Sequence, residues 1–251
     1  MAGVENRVAL LTGAGRGIGR ATAKLLAARG ATIMAAARSE DELQSLGLDY
    51  VAADLGTAEG CARAVGATEE KFGRIDVLVC NHGIGSAHER VVWEQDPALW
   101  DRTMDINLDG PFHLTRLALA GMVERGYGRV VYTSSTAGLV AEPHSAAYNA
   151  SKHGLLGLMR SVALDAGAHG VTSNAVLPGW VRTEMAERSA EQEAKDRGMT
   201  VDEVWAERAS YYPPGRVVTM EEVAETILFL AAEESSGVSG EAIRVSLGAL
   251  V

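Results

Sequence analysis

A glycine-rich turn with the sequence TGAGRGIG occupies residues 12–19. It follows a short apolar run, Val8–Thr12, and leads into Gly17–Arg29, whose apolar residues have helical spacing. Between a strand and a helix, such a turn brings backbone N–H groups and the positive helix end to one point. Glycine is needed there because a Cβ atom would block a phosphate or clash at positive φ. The turn predicts a pyrophosphate site, and the alternative is a glycine-rich turn without a ligand.

Apolar runs and helical stretches alternate along the rest of the chain. Strands that are apolar on both faces and alternate with helices indicate a parallel sheet covered on both sides. The predicted fold class is therefore α/β, with a single doubly wound parallel sheet of about seven strands (Rossmann-type), and residues 1–251 form one domain. After Val8–Thr12, the predicted strands are Ala31–Ala37, Tyr50–Ala53, Val77–Cys80, Arg129–Thr133, Val171–Leu177 and Ala242–Val245. The later predicted helices are Ala58–Phe72, Leu99–Glu124, Tyr148–Ala168 and Glu221–Ala232.

Three helix starts carry local signals. Residues 39–42 (SEDE) and 219–222 (TMEE) both match the capping box, in which a Ser or Thr and a Glu three residues later bond each other's backbone N–H groups. Asp96-Pro97 is typical of an N-cap residue followed by the first helical position. We therefore expect helices to begin at these three places.

Composition narrows the possible functions. The 251 residues carry 33 acidic and 23 basic side chains, a net charge of −10, which argues against a nucleic-acid or anionic-membrane surface. No apolar run approaches the roughly 18 residues that a membrane span needs, and the polar N-terminus indicates no signal peptide. Cys61 and Cys80 have no metal-ligand spacing, and neither do the six histidines. We expect no metal site and a reducing, cytoplasmic location.

The spacing of the turn, TGxxxGxG with Gly13, Gly17 and Gly19, resembles that of the short-chain dehydrogenase/reductase family. Later motifs match in order over essentially the whole chain: Asn81 and Gly83, Asn107, Ser135, Tyr148 with Lys152, and Pro178-Gly179. The resemblance implies reversible hydride transfer between a nicotinamide cofactor and a small secondary alcohol or ketone. It is about equally close to 3-oxoacyl reductases and 3-hydroxybutyrate-type dehydrogenases, so it implies no particular substrate.

Tyr148 and Lys152 are four residues apart at a helix start and therefore share one face. A phenol has a pKa near 10, and a neighbouring ammonium group favours its ionised form, which suits proton exchange with a carbinol. The resemblance implies that Lys152 also bonds the nicotinamide ribose. It further implies that Ser135 orients the substrate oxygen, with Ser134 as the alternative, and that Asn107 holds a water linked to the lysine.

The resemblance also implies a set of cofactor contacts. Acids that would bond the ribose 2′-OH of NAD are missing at the end of the second strand, where Arg38 stands instead. Arg38, together with Arg16 in the turn, favours NADP(H) over NAD(H); the alternatives are an NAD-dependent enzyme and an Arg38 that only pairs with Asp41 or Glu42. Asp54 resembles the adenine-binding acid, although it could also cap the helix before Thr57. The full predicted contact set is Gly13, Arg16, Gly17, Ile18, Gly19, Arg38, Asp54, Leu55, Asn81, Gly83, Tyr148, Lys152, Pro178, Val181 and Thr183.

Some segments depart from the family or are hard to interpret. His82 replaces the usual alanine after Asn81, and it could point outward or alter the pocket. The usual Asp-Gly-Gly near the C-terminus is Ser246-Leu247-Gly248, which puts the usual packing there in doubt. Residues 180–212 are expected to form a helical lid over the substrate, and His144 either faces the substrate or lies on a solvated loop. The family likeness implies a homotetramer, with a dimer as the alternative, and a protein that binds the dinucleotide without turnover is the second functional hypothesis.

Overall fold

The computed structural model describes residues 3–86 and 90–249, and within these ranges seven strands form one sheet. All neighbouring strands pair in parallel, in the order β3-β2-β1-β4-β5-β6-β7. The predicted doubly wound α/β fold is confirmed, and the predicted strands shift by only one residue or so at their ends. The strands are β1 (Val8–Thr12), β2 (Thr32–Ala37), β3 (Asp49–Ala52), β4 (Val77–Cys80), β5 (Gly128–Thr133), β6 (Val171–Pro178) and β7 (Ala242–Val245).

Helices cover both faces of the sheet. The predicted helical stretch Leu99–Glu124 is helical throughout, but an unpredicted π-helical turn, Asp105–Asp109, separates two α-helices within it. Pro111 has no N–H and cannot donate to the carbonyl of Asn107, so regular α-helical bonding fails at this place. The helices are α1 (Gly17–Ala28), α2 (Glu40–Gln44), α3 (Ala58–Phe72), α4 (Pro97–Met104), α5 (Gly110–Arg125), α6 (Ala146–Ala166), α7 (Glu184–Arg197), α8 (Val201–Ser210) and α9 (Met220–Ala231).

The inner strands bury side chains on both faces, as their apolar runs predict. On β1, Leu10 belongs to the core that packs against α3, α5 and α6, whereas Ala9 and Leu11 belong to the core beneath α1 and α9. Because successive side chains of a strand point to opposite faces, one apolar run serves two layers of helices. The sheet is therefore rigid and buried in its centre, which gives the loops at its carboxyl edge a fixed base.

The strand order reverses between β1 and β4, and this is the point where open α/β sheets bind ligands. The Thr12 side chain ties the two strand ends together. Its hydroxyl donates to the Val79 carbonyl at 3.0 Å and accepts from the Asn81 N–H at 2.9 Å. The glycine turn after β1 and the loop after β4 are thereby held side by side.

Helices α7 and α8 occupy the segment predicted as a lid. They pack on each other through a small separate core that contains Ala190, Val204 and Trp205. Arg208 is 3% exposed in this unit, stacks 3.7 Å from the Trp180 ring, and pairs with Glu193 at 2.8 Å. Among the described residues no helix is both long and apolar enough to cross a membrane.

Helices begin at all three predicted places, and two of them have the predicted side-chain cap. Asp96 caps α4 by accepting the Ala98 N–H, and Thr219 caps α9 within a complete capping box with Glu222. The capping box at residues 39–42 is wrong, because Ser39 makes no side-chain cap although α2 begins after it. The Glu42 carboxylate, which would complete the box, bonds Arg16 instead.

Candidate active site

The glycine turn leaves backbone donors directed at open space. Gly13 and Gly17 have φ of +66° and +55°, a region that favours glycine. A Cβ atom on Gly19 would clash with the Gly13 carbonyl, so Gly19 permits the tight packing of the turn onto the helix. Helix α1 begins without a side-chain cap, since its N-cap residue Arg16 makes no such bond. Its first N–H groups are therefore left for an anionic ligand, which fits a dinucleotide pyrophosphate.

A cavity of about 520 Å³ extends from this turn along the carboxyl edge of the sheet. Two predicted residues do not line it: Gly19 lies behind the turn, and Asn107 lies behind the cavity wall. All the other predicted site residues line it, namely Gly13, Arg16, Gly17, Ile18, Arg38, Asp54, Leu55, Asn81, Gly83, Ser135, Tyr148, Lys152, Pro178, Val181 and Thr183.

Tyr148, Lys152 and Ser135 meet at one end of the cavity. Tyr148 and Lys152 share a face of α6, and the Lys152 Nζ atom lies 5.6 Å from the centre of the Tyr148 ring. Lys152 is 5% exposed and donates to the Thr133 carbonyl at 3.0 Å, and burial lowers its pKa to about 8. Ser134 and Ser135 both line the cavity, but Ser134 is 4% exposed and its hydroxyl donates to the Lys152 carbonyl, whereas the Ser135 hydroxyl only accepts the Ala137 N–H. Ser135 is thus better placed than Ser134 to meet a substrate.

Asn107 supports the cavity from behind. It is 1% exposed in the π-helical turn, and its amide accepts from Ile84 N–H at 2.8 Å and donates to Ile84 carbonyl at 3.0 Å. The same amide donates to Ser151 Oγ at 3.2 Å, next to Lys152 on α6. Asn107 therefore fixes the loop after β4 against the helix that carries Tyr148 and Lys152.

The other end of the cavity holds the predicted adenosine contacts. Arg16 is shared between two carboxylates, Glu42 at 3.2 Å and Glu184 at 3.1 Å. Arg38 also lines the cavity, and within residues 3–86 and 90–249 it forms no ion pair, so the predicted alternative of pairing with Asp41 or Glu42 is not found. Arg38 is therefore better placed than Arg16 to pair with an anionic ligand, although its charge also acts on the Asp54 carboxylate.

Asp54 lines the same end. Burial alone would raise the pKa of Asp54, but the Gly56 N–H at 3.1 Å and the Arg102 guanidinium at 3.5 Å hold it below its usual range. The cap of α3 is Thr57, whose side chain accepts the Gly60 N–H, so Asp54 is not the capping residue. The Asp54 carboxylate is ionised at neutral pH and remains on the cavity wall.

The two histidines left open by the sequence have different positions. His82 does not point outward, because its Nδ1 atom lies 2.8 Å from Thr12 Oγ1. Its Nε2 atom is buried against Gly110, and a Cβ atom on that glycine would lie only 2.8 Å from Nε2. His144 is exposed and lies outside the lining of the cavity. Sequence reasoning missed Glu142, which does line the cavity. Its position just before Pro143, between the serine and the tyrosine, was the only available signal.

Comparisons with known proteins agree with this geometry. The family model described as enoyl-(acyl carrier protein) reductase matches residues 13–249. The chain is 36% identical to D-beta-hydroxybutyrate dehydrogenase of Cupriavidus necator, covering 94% of this chain and 95% of the relative. It is 34% identical to 3-oxoacyl-[acyl-carrier-protein] reductase FabG of Thermotoga maritima, covering 99% of both. A crystal structure of an actinorhodin polyketide ketoreductase variant with NADPH superposes with a TM-score of 0.91 at 34% identity, covering all of both chains. The chain belongs to the short-chain dehydrogenase/reductase family and is an NAD(P)-dependent oxidoreductase.

Proposed function

We propose that this oxidoreductase transfers a hydride between NADP(H) and a secondary alcohol or ketone through Ser135, Tyr148, Lys152 and Asn107. One observation carries the proposal: Ser135, Tyr148 and Lys152 line the same cavity as the uncapped glycine turn. A group that can exchange a proton thus lies within reach of a ligand whose phosphates occupy the turn.

The chain's own residues orient the substrate oxygen and transfer the proton. A nicotinamide cofactor, when bound, would supply or accept the hydride. Ser135 and Tyr148 hydrogen-bond the substrate oxygen and orient it, and Tyr148 donates its phenolic proton during reduction. The Lys152 ammonium, held among buried neighbours, favours the phenolate that remains. Asn107 keeps the wall behind Lys152 in place through Ile84 and Ser151. Oxidation uses the same groups in the opposite direction.

The proposed cofactor is NADP(H), and NAD(H) is the alternative. The proposal is supported by Arg38, a cation on the cavity wall whose charge no carboxylate within the described residues neutralises. A ribose 2′-phosphate is a dianion and gains charged hydrogen bonds from such a group. Arg16 adds less, because Glu42 and Glu184 already share its charge.

We also propose a homotetramer, with a dimer as the alternative, a single catalytic domain over residues 1–251, and a lid at 180–212 that opens for the substrate. The exposed apolar side chains of α5 and α6 support assembly, and the separate small core of α7 and α8 supports a lid that moves as a unit. The buried free thiols of Cys61 and Cys80 suit the reducing cytoplasm that we propose as its location.

The variant Tyr148→Phe tests the proposed chemistry. Phenylalanine keeps the ring but has no proton to give, so we expect turnover to fall more than tenfold while dinucleotide binding stays within about threefold of the wild type. Turnover is measured on a panel of ketones and secondary alcohols with NADPH and NADH, and binding by cofactor fluorescence titration. A variant that keeps more than a tenth of the wild-type rate would contradict the role of Tyr148. A wild type that binds NADPH but turns over nothing in the panel would favour a protein that binds dinucleotide without catalysis.

A further inference from the structure

A carboxylate lies at the substrate end of the cavity, where neither the proposed chemistry nor the cofactor needs one. Glu142 belongs to the loop between β5 and α6 and lines the same cavity as Ser135 and Tyr148. Its backbone is fixed by the side chain of Asn149, which accepts the Glu142 N–H at 3.4 Å and donates to the Glu142 carbonyl at 2.8 Å. Since Asn149 follows Tyr148 directly, the position of Glu142 is tied to that of the proposed proton donor.

The Glu142 side chain has unused hydrogen-bonding capacity. Among the described residues its carboxylate forms no hydrogen bond or ion pair, and burial raises its pKa, while Arg208 acts in the opposite direction. Arg208 acts on it only at a distance: its two terminal nitrogens donate to the Ala186 carbonyl, Ser189 Oγ and Glu193 Oε2, and its Nε atom forms no hydrogen bond to Glu142. A partly buried carboxylate without a donor is costly, so a ligand that brings a donor gains affinity.

The surroundings of Glu142 favour a neutral ligand with a donor over an anion. The cavity wall also includes the apolar side chains of Ile84, Trp180 and Met185. Two cations other than the arginines of the adenosine end line the cavity. Lys152 donates to the Thr133 carbonyl at 3.0 Å beneath the Tyr148 ring, and Arg188 is 66% exposed and lies 3.9 Å from Glu184. A substrate carboxylate beside Glu142 would therefore meet a like charge in a partly desolvated place.

We propose that Glu142 selects the substrate: its carboxylate accepts a hydrogen bond from a hydroxyl group close to the reacting carbonyl and repels a carboxylate in that position. The substrate class is then a neutral hydroxyketone and the corresponding diol, rather than a keto acid and its hydroxy acid. This inference rests on the proposed function of the same site. It sets the chain apart from its β-hydroxybutyrate dehydrogenase relative, whose named substrate carries a carboxylate.

Three small ketones that differ at one end test the selection: 4-hydroxybutan-2-one, methyl acetoacetate and acetoacetate. For the wild type with NADPH, we expect kcat/KM to be at least tenfold higher for the hydroxyketone than for acetoacetate. Glu142→Gln removes the charge but keeps the shape, so it should raise kcat/KM for acetoacetate about tenfold and lower it severalfold for the hydroxyketone. The ester, which has neither a donor nor a charge there, should change less than threefold. Glu191→Gln, the same change at an exposed position of α7, is the matched control and should alter none of the three.

The outcomes separate this inference from the function on which it rests. Turnover of all three ketones without discrimination by the wild type, or a Glu142→Gln variant that changes all three values equally, would contradict the selection and leave the proposed function standing. A wild type that reduces none of the three, or any other ketone of the panel, with NADPH or NADH would contradict both.

Discussion

Two arginines lie at the predicted adenosine end of the cavity, and they differ in whether carboxylates of the protein already pair with them. Arg16 is neutralised by Glu42 and Glu184, whereas Arg38 has no ion-pair partner among residues 3–86 and 90–249. The sequence predicted both as cofactor contacts, but it could not reveal the difference. The two carboxylates come from α2 and from the start of α7, which are distant from residue 16 along the chain.

The Arg38→Ala variant should lose NADPH specificity. One charged hydrogen bond contributes about 1.5–3 kcal/mol, so kcat/KM for NADPH should fall about 10–100-fold, while that for NADH should change less than threefold. Arg16→Ala is the matched comparison and should cost less, because its charge is already shared. Steady-state kinetics with both cofactors measures this. Equal wild-type values for NADPH and NADH, or a loss in Arg38→Ala that is the same for both, would contradict the NADP(H) proposal.

His82 should make the protein sensitive to acid. Burial lowers the pKa of His82 to about 3, and the Lys152 charge acts in the same direction. In the unfolded chain an imidazole takes up a proton below about pH 6.5, whereas the folded one stays neutral. Unfolding thus takes up a proton between these values, and stability falls with decreasing pH by at most about 1.4 kcal/mol per pH unit.

The His82→Ala variant tests this source of acid sensitivity. Its free energy of unfolding should fall less than that of the wild type between pH 7 and pH 5, so that the difference between the two proteins shrinks or reverses. Urea unfolding followed by circular dichroism at both pH values measures it. If stability depends on pH in the same way in both proteins, His82 is not the source of the acid sensitivity.

At the scale of elements, the spacing of hydrophobic residues predicted most strands and helices. It did not predict the π-helical turn before Pro111, a residue without a backbone N–H. The inner strands are buried on both faces, as every residue of β1 and β5 shows, whereas the edge strands β3 and β7 are only partly buried. The predicted helix over 99–124 missed its π-helical turn, since hydrophobic spacing does not register the absent N–H of Pro111. The Gly110-Pro111 pair was the local signal. The turn that was not predicted contains Asn107, which is one of the predicted site residues.

The cap of α9 should contribute measurably to stability. Thr219 Oγ1 accepts the Glu222 N–H at 3.2 Å, and the Glu222 carboxylate accepts the Thr219 N–H at 2.9 Å. Thr219→Ala should therefore lower the free energy of unfolding by about 1 kcal/mol. Ser39→Ala is the control, because Ser39 precedes α2 without a side-chain cap, and it should cost less than about 0.3 kcal/mol. Equal losses in the two variants, in chemical unfolding without cofactor, would contradict this account.

At the scale of the molecule, the order of motifs predicted which residues surround the cavity, because parallel strands bring their carboxyl ends to one edge. What the sequence did not predict lies on the substrate side. Glu142 sits on a loop with no periodicity, and the packing of Arg208 between Trp180 and Trp205 depends on two helices folding onto each other. Such contacts follow from tertiary packing and have no local signature.

Assembly is the prediction that concerns the whole molecule. Phe112 on α5 is 45% exposed and Leu164 on α6 is 84% exposed. Large apolar side chains that are exposed together on a surface often mark an interface between subunits. Light scattering at micromolar concentration should give a tetramer, or a dimer if the altered Ser246-Leu247-Gly248 end weakens one contact. Leu164→Glu should shift the mass downward, whereas Val92→Glu, at an exposed residue of another element, should not. A wild-type monomer at this concentration would contradict the proposal.

The strand order also has a consequence for how the chain folds. The interior strand β1 precedes the other six in the sequence, and both of its partners, β2 and β4, are complete by Cys80. Each later strand then adds to the one made just before it, β5 on β4, β6 on β5 and β7 on β6. A chain emerging from the ribosome can therefore assemble the half-sheet with the glycine turn before the strand leading to Ser135 has been synthesised. The strands that carry the glycine turn can thus pair before the strands and helix that carry Ser135, Tyr148 and Lys152 are added.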